Sequence, residues 1–345
     1  MEREGQERAL WESCAKSYED LIVQGHPDIR ATESLEEEWL GYLLREKAME
    51  STKEIHVVEA GCGSARVLVQ LAAAATEAQA LGQVDRALLQ AYRRNHPEGT
   101  FHAGWAQACG ELLGVDFSRS MLVLADKRFL RSGLSHWIQS RRARLIHGSA
   151  FHLPETAPGQ SWVICLLNSI GVMQGEQGAR ALLRSVRQAA GKNGIGFVSA
   201  YRAEAMATYG LGQYESTLEV AGIPEWLDGD LREGCRARSR QMIRTGQGGF
   251  RLVVDWLDSS GTKVGEGELR RNPVRVERVC ETGEVVTRSG YRSRWYPWSQ
   301  MAQMVWEEWG EAGWQMSPGG LDRLRGSPLQ WLWFDPTGWI RKSLG

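Results

Sequence analysis

Residues 55–66 read Ile-His-Val-Val-Glu-Ala-Gly-Cys-Gly-Ser-Ala-Arg. Ile55, Val57 and Val58 make a short apolar strand that ends in an acid, Glu59. Gly61 and Gly63 follow at once, and an Ala-rich helical stretch begins near Ala65. A strand, a glycine loop and a helix in immediate succession are the means by which a parallel α/β sheet holds a nucleoside cofactor. The glycines let the backbone turn sharply and lie flat against a ligand where a Cβ would intrude. The acid at the strand end suits a ligand that presents an ammonium or hydroxyl group and repels a pyrophosphate. A dinucleotide fingerprint also needs a third glycine three residues after the second, and an acid about 20 residues further on. Arg66 stands at the third position, and the next strand-end acid is Asp116. The loop therefore argues against a dinucleotide.

Strand and helix alternate on both sides of this loop. Residues 1–54 read as helices, with Leu10, Trp11, Cys14, Tyr18 and Leu21 at helical spacing and a second set at Leu35, Trp39, Leu43 and Leu44. After the loop helix, residues 81–108 are longer than a connection needs and read as a helical insertion. Strands are predicted at 111–116, 143–147, 162–167 and 195–200, with helices at 120–131 and 178–190 between them. Val163-Ile-Cys-Leu-Leu167 is unbroken and apolar, as befits a strand buried on both faces. This alternation predicts a doubly wound, mostly parallel sheet. From about residue 234 the period drops to two: Phe250, Leu252, Val254 and Trp256 alternate with Arg251, Val253 and Asp255. Asp258-Ser-Ser-Gly261 and Glu281-Thr-Gly-Glu284 read as hairpin turns. Four or five antiparallel strands are expected between 234 and 294, then a helix at 299–312 and a closing strand at 329–335. The expected organisation is an N-terminal helical cap (1–54), a cofactor-binding core (55–210), an antiparallel β meander (211–294) and a Trp-rich return to the core sheet (295–345).

A chain of 345 residues with 42% hydrophobic residues can bury one large, elaborated core. The net charge of −1 gives no global field to recruit nucleic acid or an anionic membrane. Six scattered cysteines without a C-x-x-C pair predict reduced thiols, and the charged start Met1-Glu-Arg-Glu-Gly-Gln-Glu-Arg8 lacks the apolar stretch of a signal peptide. A cytoplasmic protein without a membrane span is expected. The seven histidines show no metal spacing, so no metal is predicted; His56 reads as a core residue. Eight of the 15 tryptophans fall between Trp295 and Trp339. Core packing is the favoured reading, because Trp306 and Trp309 have the spacing of one helix face; an aromatic wall around a substrate is the other.

Four stretches in register resemble the class I S-adenosylmethionine-dependent methyltransferases: Val57-Val-Glu-Ala-Gly-Cys-Gly-Ser-Ala65, Gly114-Val-Asp-Phe-Ser-Arg-Ser-Met-Leu122, His147-Gly-Ser-Ala-Phe-His-Leu-Pro154 and Val163-Ile-Cys-Leu-Leu-Asn-Ser-Ile-Gly171. The resemblance implies a seven-stranded Rossmann-like sheet and S-adenosylmethionine as cofactor. It assigns Glu59 to the cofactor's ammonium, Gly61, Cys62 and Gly63 to its methionine moiety, and Asp116 to the ribose diol. Phe117 and Met121 fall to the adenine, and Ser149, Ala150 and Phe151 to the adenine edge and face. Asp often stands in the family where Ser149 does. Asn168 and Ser169 would line the methyl-transfer mouth. The outlet Asn168-Ser-Ile-Gly171 lacks the paired prolines that grip a flipped-out base and is similar to that of glycine and sarcosine N-methyltransferases. Trp11 and Tyr18 fall in the family's lid, with Tyr18 and His152 as further catalytic candidates, and Tyr201 and Arg202 as substrate contacts at the end of strand five.

The expected partner is thus a small molecule carrying nitrogen or oxygen, with the meander as the surface for any homo-oligomer. Arg236, Arg238 and Arg240 alternate, and Arg270, Arg271, Arg275 and Arg278 follow. Such a set usually makes a solvated face. As a docking track it would instead suit RNA or protein methylation. A non-catalytic cofactor-binding scaffold is the third reading, against which the intact Glu59 and Asp116 weigh.

Overall fold

The computed structural model describes residues 12, 36, 40–44, 46–48, 50–51, 53–81, 103–156, 159–167, 169–173, 175–202, 213–219, 235–245, 248–257, 269–279, 287–294, 296–316 and 329–344. For 77–81, 103–104, 213–294 and 344 it describes the backbone alone. Trp11, Tyr18, Asn168, the two named turns and most of the 81–108 insertion lie outside the described residues.

Strand β1 (Ile55–Ala60) is buried along its whole length. Its alternate side chains feed two separate cores: Ile55 and Val57 join one, Val58 and Ala60 the other. It is flanked by β2 (Cys109–Asp116) and β4 (Gln160–Cys165), both parallel to it. Strand β3 (Ala143–His147) adds to β2, and β5 (Ile195–Tyr201) adds to β4. Beyond β5 lie β12 (Leu329–Phe334), antiparallel to it, and β11 (Gly313–Met316), antiparallel to β12. The order is β3-β2-β1-β4-β5-β12-β11. This is the predicted mostly parallel seven-stranded sheet, with its antiparallel member identified. The order reverses between β1 and β4, the switch point at whose carboxyl ends α/β sheets bind ligands.

Helices cover both faces. On one side α1 (Arg66–Leu81), α2 (Ala103–Ala108) and α3 (Arg119–Arg131) bring Leu68, Trp105 and Phe129 against Val57, Leu112, Trp162 and Phe197. The helical residues Leu40, Leu43 and Leu44 join the same cluster. The short helix α4 (Ser135–Gln139), not anticipated from sequence, buries Trp137 there. Helix α5 (Ser169–Val172) follows β4. On the other side α6 (Gly175–Ala190) and α7 (Trp298–Trp309) pack Leu182, Val186, Met301 and Met304 against Val58, Leu113, Val163 and Val198. A 3₁₀ turn, Gly310–Ala312, leads into β11, and α8 (Trp339–Leu344) ends the described chain.

The tryptophans of the last segment mostly pack the core. Trp331 and Trp333 are fully buried, and Trp333 stacks on Phe197 at 4.2 Å between centroids. Trp306 and Trp309 do not share a fate. Trp309 is buried and donates from Nε1 to the Leu183 carbonyl at 2.7 Å, whereas Trp306 is 62% exposed. Three residues span about 300° of helix, so the two side chains diverge enough for one to face the sheet and the other solvent.

A second sheet has the order β10-β9-β8-β7-β6. Strands β7 (Cys235–Thr245), β8 (Gly248–Leu257), β9 (Leu269–Val279) and β10 (Thr287–Arg294) form the antiparallel meander expected after strand five. The sheet begins earlier than position 234, however. Strand β6 (Gln213–Glu219) lies at its edge and runs parallel to β7. A parallel neighbour needs a long crossover rather than a tight turn, so no hairpin signal marks it in the sequence.

Candidate functional site

The carboxyl ends of the central strands meet in register: Glu59 lies opposite Gly114 and Ile164, and Asp116 opposite His147. At this end the β1 loop folds back onto β2. The amides of Gly61 and Cys62 both donate to the Val115 carbonyl, at 2.8 and 3.1 Å. The amide of Gly63 donates to Asp116 Oδ2 at 2.9 Å. Gly61 and Gly63 carry φ of 72° and 51°, a region that favours glycine. The loop reaches β2 closely because Gly114 has no side chain; a Cβ there would meet Cys62 Sγ at 2.8 Å.

Asp116 is buried and organises two loops at once, since its Oδ1 also accepts from Ser118 N at 2.8 Å. Burial raises its carboxyl above the ordinary value, while the amides of Ser118 and Gly63 act against the rise. Two carboxylate oxygens offer about four acceptor sites, so each keeps one lone pair beyond its amide bond. That leaves a pair of acceptors suited to a cis-diol. Ser118 caps α3, its hydroxyl accepting from Met121 N at 3.2 Å. The first two amides of α3, Arg119 and Ser120, donate to the two carboxylate oxygens of Glu12 at 2.8 and 2.9 Å. Burial acts to raise the Glu12 carboxyl, but the bonds from Ser120 and Arg119 outweigh it and hold it below its ordinary value.

Across the switch point, the β4 outlet is folded tightly. Ser169 donates from Oγ to the Leu166 carbonyl at 2.8 Å and abuts the loop, 3.5 Å from where a Gly61 Cβ would stand. Leu167 takes φ of 51°, and its amide donates to Glu36 Oε2 at 2.9 Å. Glu36 is 1% exposed. Burial raises the Cys165 thiol between these elements, and the Glu59 and Glu36 carboxylates raise it further. Cys62 is likewise kept a thiol by burial and by Asp116 and Glu59. Its side chain is core, so only its backbone belongs to the loop.

The structure thus brings together Glu59, Gly61, Gly63, Asp116, Phe117, Met121 and Ser169. Met121 is buried under the β2 outlet, and Phe117 is 38% exposed at the rim. Ser149 is half-buried and its Oγ accepts from Phe151 N at 3.2 Å, so its hydroxyl is engaged within its own turn. Ala150 and Phe151 pack partly against the second core. His152 is exposed and its amide donates to the Ser149 carbonyl. Tyr201 is nearly buried within the first core, while Arg202 is half-buried and bridges to Tyr296. Glu12, Glu36 and Ser118 escaped the sequence reading. Ser118 had a signal, a serine opening a helix; the two acids had none.

Three features decide what this crevice can hold. The amides of Gly61, Cys62 and Gly63 are spent on Val115 and Asp116, so they form no nest for a pyrophosphate. Two buried acids, Glu59 and Asp116, flank the loop. An acid at the end of β2 faces the crevice with acceptors suited to a ribose. A nucleoside with cationic substituents fits this set of acceptors. Among the described residues, no group of His, Cys, Asp and Glu is arranged to hold a metal ion, and no helix is long and apolar enough to cross a membrane.

No family model and no curated protein matches the chain. Solved structures do share its fold. The CcbJ methyltransferase from Streptomyces caelestis is 12% identical over 95% of this chain and 98% of its own, with a TM-score of 0.55. An S-adenosylmethionine-dependent methyltransferase from Clostridium acetobutylicum is 10% identical over 92% and 96%, with a TM-score of 0.50. The chain therefore has the Rossmann-like fold of these methyltransferases.

Proposed function

We propose that the chain is an S-adenosylmethionine-dependent methyltransferase acting on nitrogen or oxygen of a small molecule. One observation carries the reading: a buried acid at the end of β2, Asp116, holds the β1 glycine loop in a form in which the amides of Gly61, Cys62 and Gly63 are committed within the protein. The fold shared with CcbJ is consistent with it but does not decide chemistry by itself.

When bound, the cofactor supplies a methyl group already activated by its sulfonium. The protein's work is then to hold a lone pair in line with that carbon and keep water out. In this reading Glu59 holds the cofactor's ammonium and Asp116 its ribose hydroxyls. Gly61 and Gly63 lie along the methionine moiety; Phe117, Met121 and Ala150–Phe151 bound the adenine. Asn168 and Ser169 line the mouth, and Arg202 offers a guanidinium to a substrate carboxylate. Trp11 and Tyr18 belong to the covering N-terminal segment, and the meander to the substrate wall or an assembly surface. His152, being exposed, suits a rim contact better than a base in a dry site. The small-molecule class rests on the Asn168-Ser169 outlet, which lacks a base-gripping proline pair.

Incubation with methyl-labelled S-adenosylmethionine and fractionated metabolite pools tests this. The expected result is label in a small amine, acid or hydroxyl compound. Label appearing only in RNA or protein, or none despite cofactor binding, contradicts it.

A further inference from the structure

The second sheet sorts its charges. Paired positions of neighbouring strands share a face, and positions alternate between faces along each strand. On β8, Phe250, Leu252, Val254 and Trp256 therefore take one face, and Arg251, Val253 and Asp255 the other. The register carries this polar face across all five strands. Four of its arginines stand directly opposite acids: Arg240 opposite Glu215, Arg244 opposite Glu219, Arg238 opposite Asp255 and Arg251 opposite Glu277. These pairs use every acid of the five strands.

The remaining arginines of this face lie on β9 and β10, and four of them oppose one another. Arg271 pairs with Arg292, and Arg275 with Arg288. Like charges directly opposite destabilise a sheet, so two such pairs work against it unless an anion lies between them. The row between them is Pro273–Gly290. A glycine inside a strand weakens it and suits the close approach of a ligand to the backbone, and a proline gives the ladder no amide hydrogen. Each of the four arginines stands two residues along its strand from this row, about 7 Å. The cations of the five strands are all arginine, the residue whose planar fork matches phosphate oxygens.

This block adjoins the crevice. Strand β10 lies beside α5, the helix that follows the β4 outlet. Two residues beyond its end, the amide of Tyr296 donates to the Tyr201 carbonyl at 3.1 Å, at the end of β5. Arg292 is four residues from Tyr296, so no more than about 14 Å of chain separates the two. A terminal phosphate brings close to two negative charges on three acceptor oxygens, where a phosphodiester brings one charge.

We propose that Arg271, Arg275, Arg288 and Arg292, set around the Pro273–Gly290 row beside the crevice, bind a terminal phosphate carried by the methyl acceptor. The link to the acceptor rests on the methyltransferase reading; the anion site rests on the register of the sheet.

Equilibrium dialysis of the full chain against labelled inorganic phosphate, at pH 7.5 and fixed ionic strength, tests the site. Wild type is expected to bind phosphate saturably. Arg275→Gln and Arg288→Gln should each weaken it about tenfold, the loss of one charge-assisted contact. Arg240→Gln, at a position opposite an acid, should leave it within about twofold, and S-adenosylmethionine affinity should stay within about twofold in all three. Without phosphate, Arg275→Gln and Arg288→Gln should unfold at the denaturant midpoint of wild type or above it, because each relieves a like-charge pair. Arginines that merely held the sheet together would lower it. Absent phosphate binding, an equal loss in Arg240→Gln, or destabilisation by both block variants overturns the proposal. So does a short RNA without terminal phosphates that displaces phosphate and binds more tightly, since the ligand is then a nucleic-acid backbone. Methyl label appearing only in compounds without a phosphate overturns the link to the acceptor. Phosphate binding without S-adenosylmethionine binding overturns the methyltransferase reading and leaves the anion site standing.

Discussion

Asp116 joins the loop after β1 to the start of α3 by accepting hydrogen bonds from two backbone amides, and it does so from a buried position that raises its carboxyl above the ordinary value. A raised acid is ionised only at a higher pH, and folding stability is lost rather than gained as pH rises through its folded value. Its ionisation therefore costs the empty protein stability, and a ligand that donates to it recovers part of that cost. Affinity for S-adenosylmethionine should fall on acidification from a higher pH than an ordinary aspartate would give, as titrations between pH 4 and 8 will show. Asp116→Ala removes charged acceptors worth about 1.5–3 kcal/mol each and should weaken the cofactor at least tenfold at pH 7. Arg202→Ala should leave cofactor affinity within about twofold, because the residue sits at the end of β5 rather than on the loop. Gly61, Gly63 and Asp116 were legible because their motif is local and each has one physical job. Glu12 and Glu36 were not, because a carboxylate that accepts from amides over 100 residues away leaves no periodicity or spacing to read.

The strands of the parallel core announce themselves as short apolar stretches alternating with helices, most plainly at Val163–Leu167, and their predicted bounds fall within about two residues of those observed. Shorter or edge elements did not. Strand β11 is four residues, Gly313-Trp-Gln-Met316, and α4 is five; neither is long enough to show a period. Core packing, the favoured reading of the tryptophan-rich tail, holds for Trp331 and Trp333 of β12, but the differing fates of Trp306 and Trp309 depend on which side of α7 meets the sheet. That difference is testable. Trp333→Ala removes a ring stacked on Phe197 and should cost about 3–5 kcal/mol in denaturant unfolding. Trp306→Ala, at an exposed position, should cost less than about 0.5 kcal/mol. Neither ring belongs to the crevice, so a properly folded sample of each should bind the cofactor as wild type does.

At the scale of the molecule, the strand order places β1 and β4 at the switch point, so the loop after β1 and the turn after β4 meet at one end of the sheet. The alternation of elements made the parallel sheet legible. The antiparallel pairing of β12 with β5, and the parallel edge strand β6 of the second sheet, depend on long-range pairing that no local pattern encodes. The arrangement admits a nucleoside with positive charge and disfavours one with a pyrophosphate, and this is the claim on which the functional reading stands. Titration of the wild-type chain with S-adenosylmethionine and with NAD, side by side at pH 7.5 in a calorimeter, tests it most directly. The account predicts saturable binding of S-adenosylmethionine, lost or strongly weakened in Asp116→Ala, and no binding of NAD. Binding of NAD with S-adenosylmethionine excluded would contradict it.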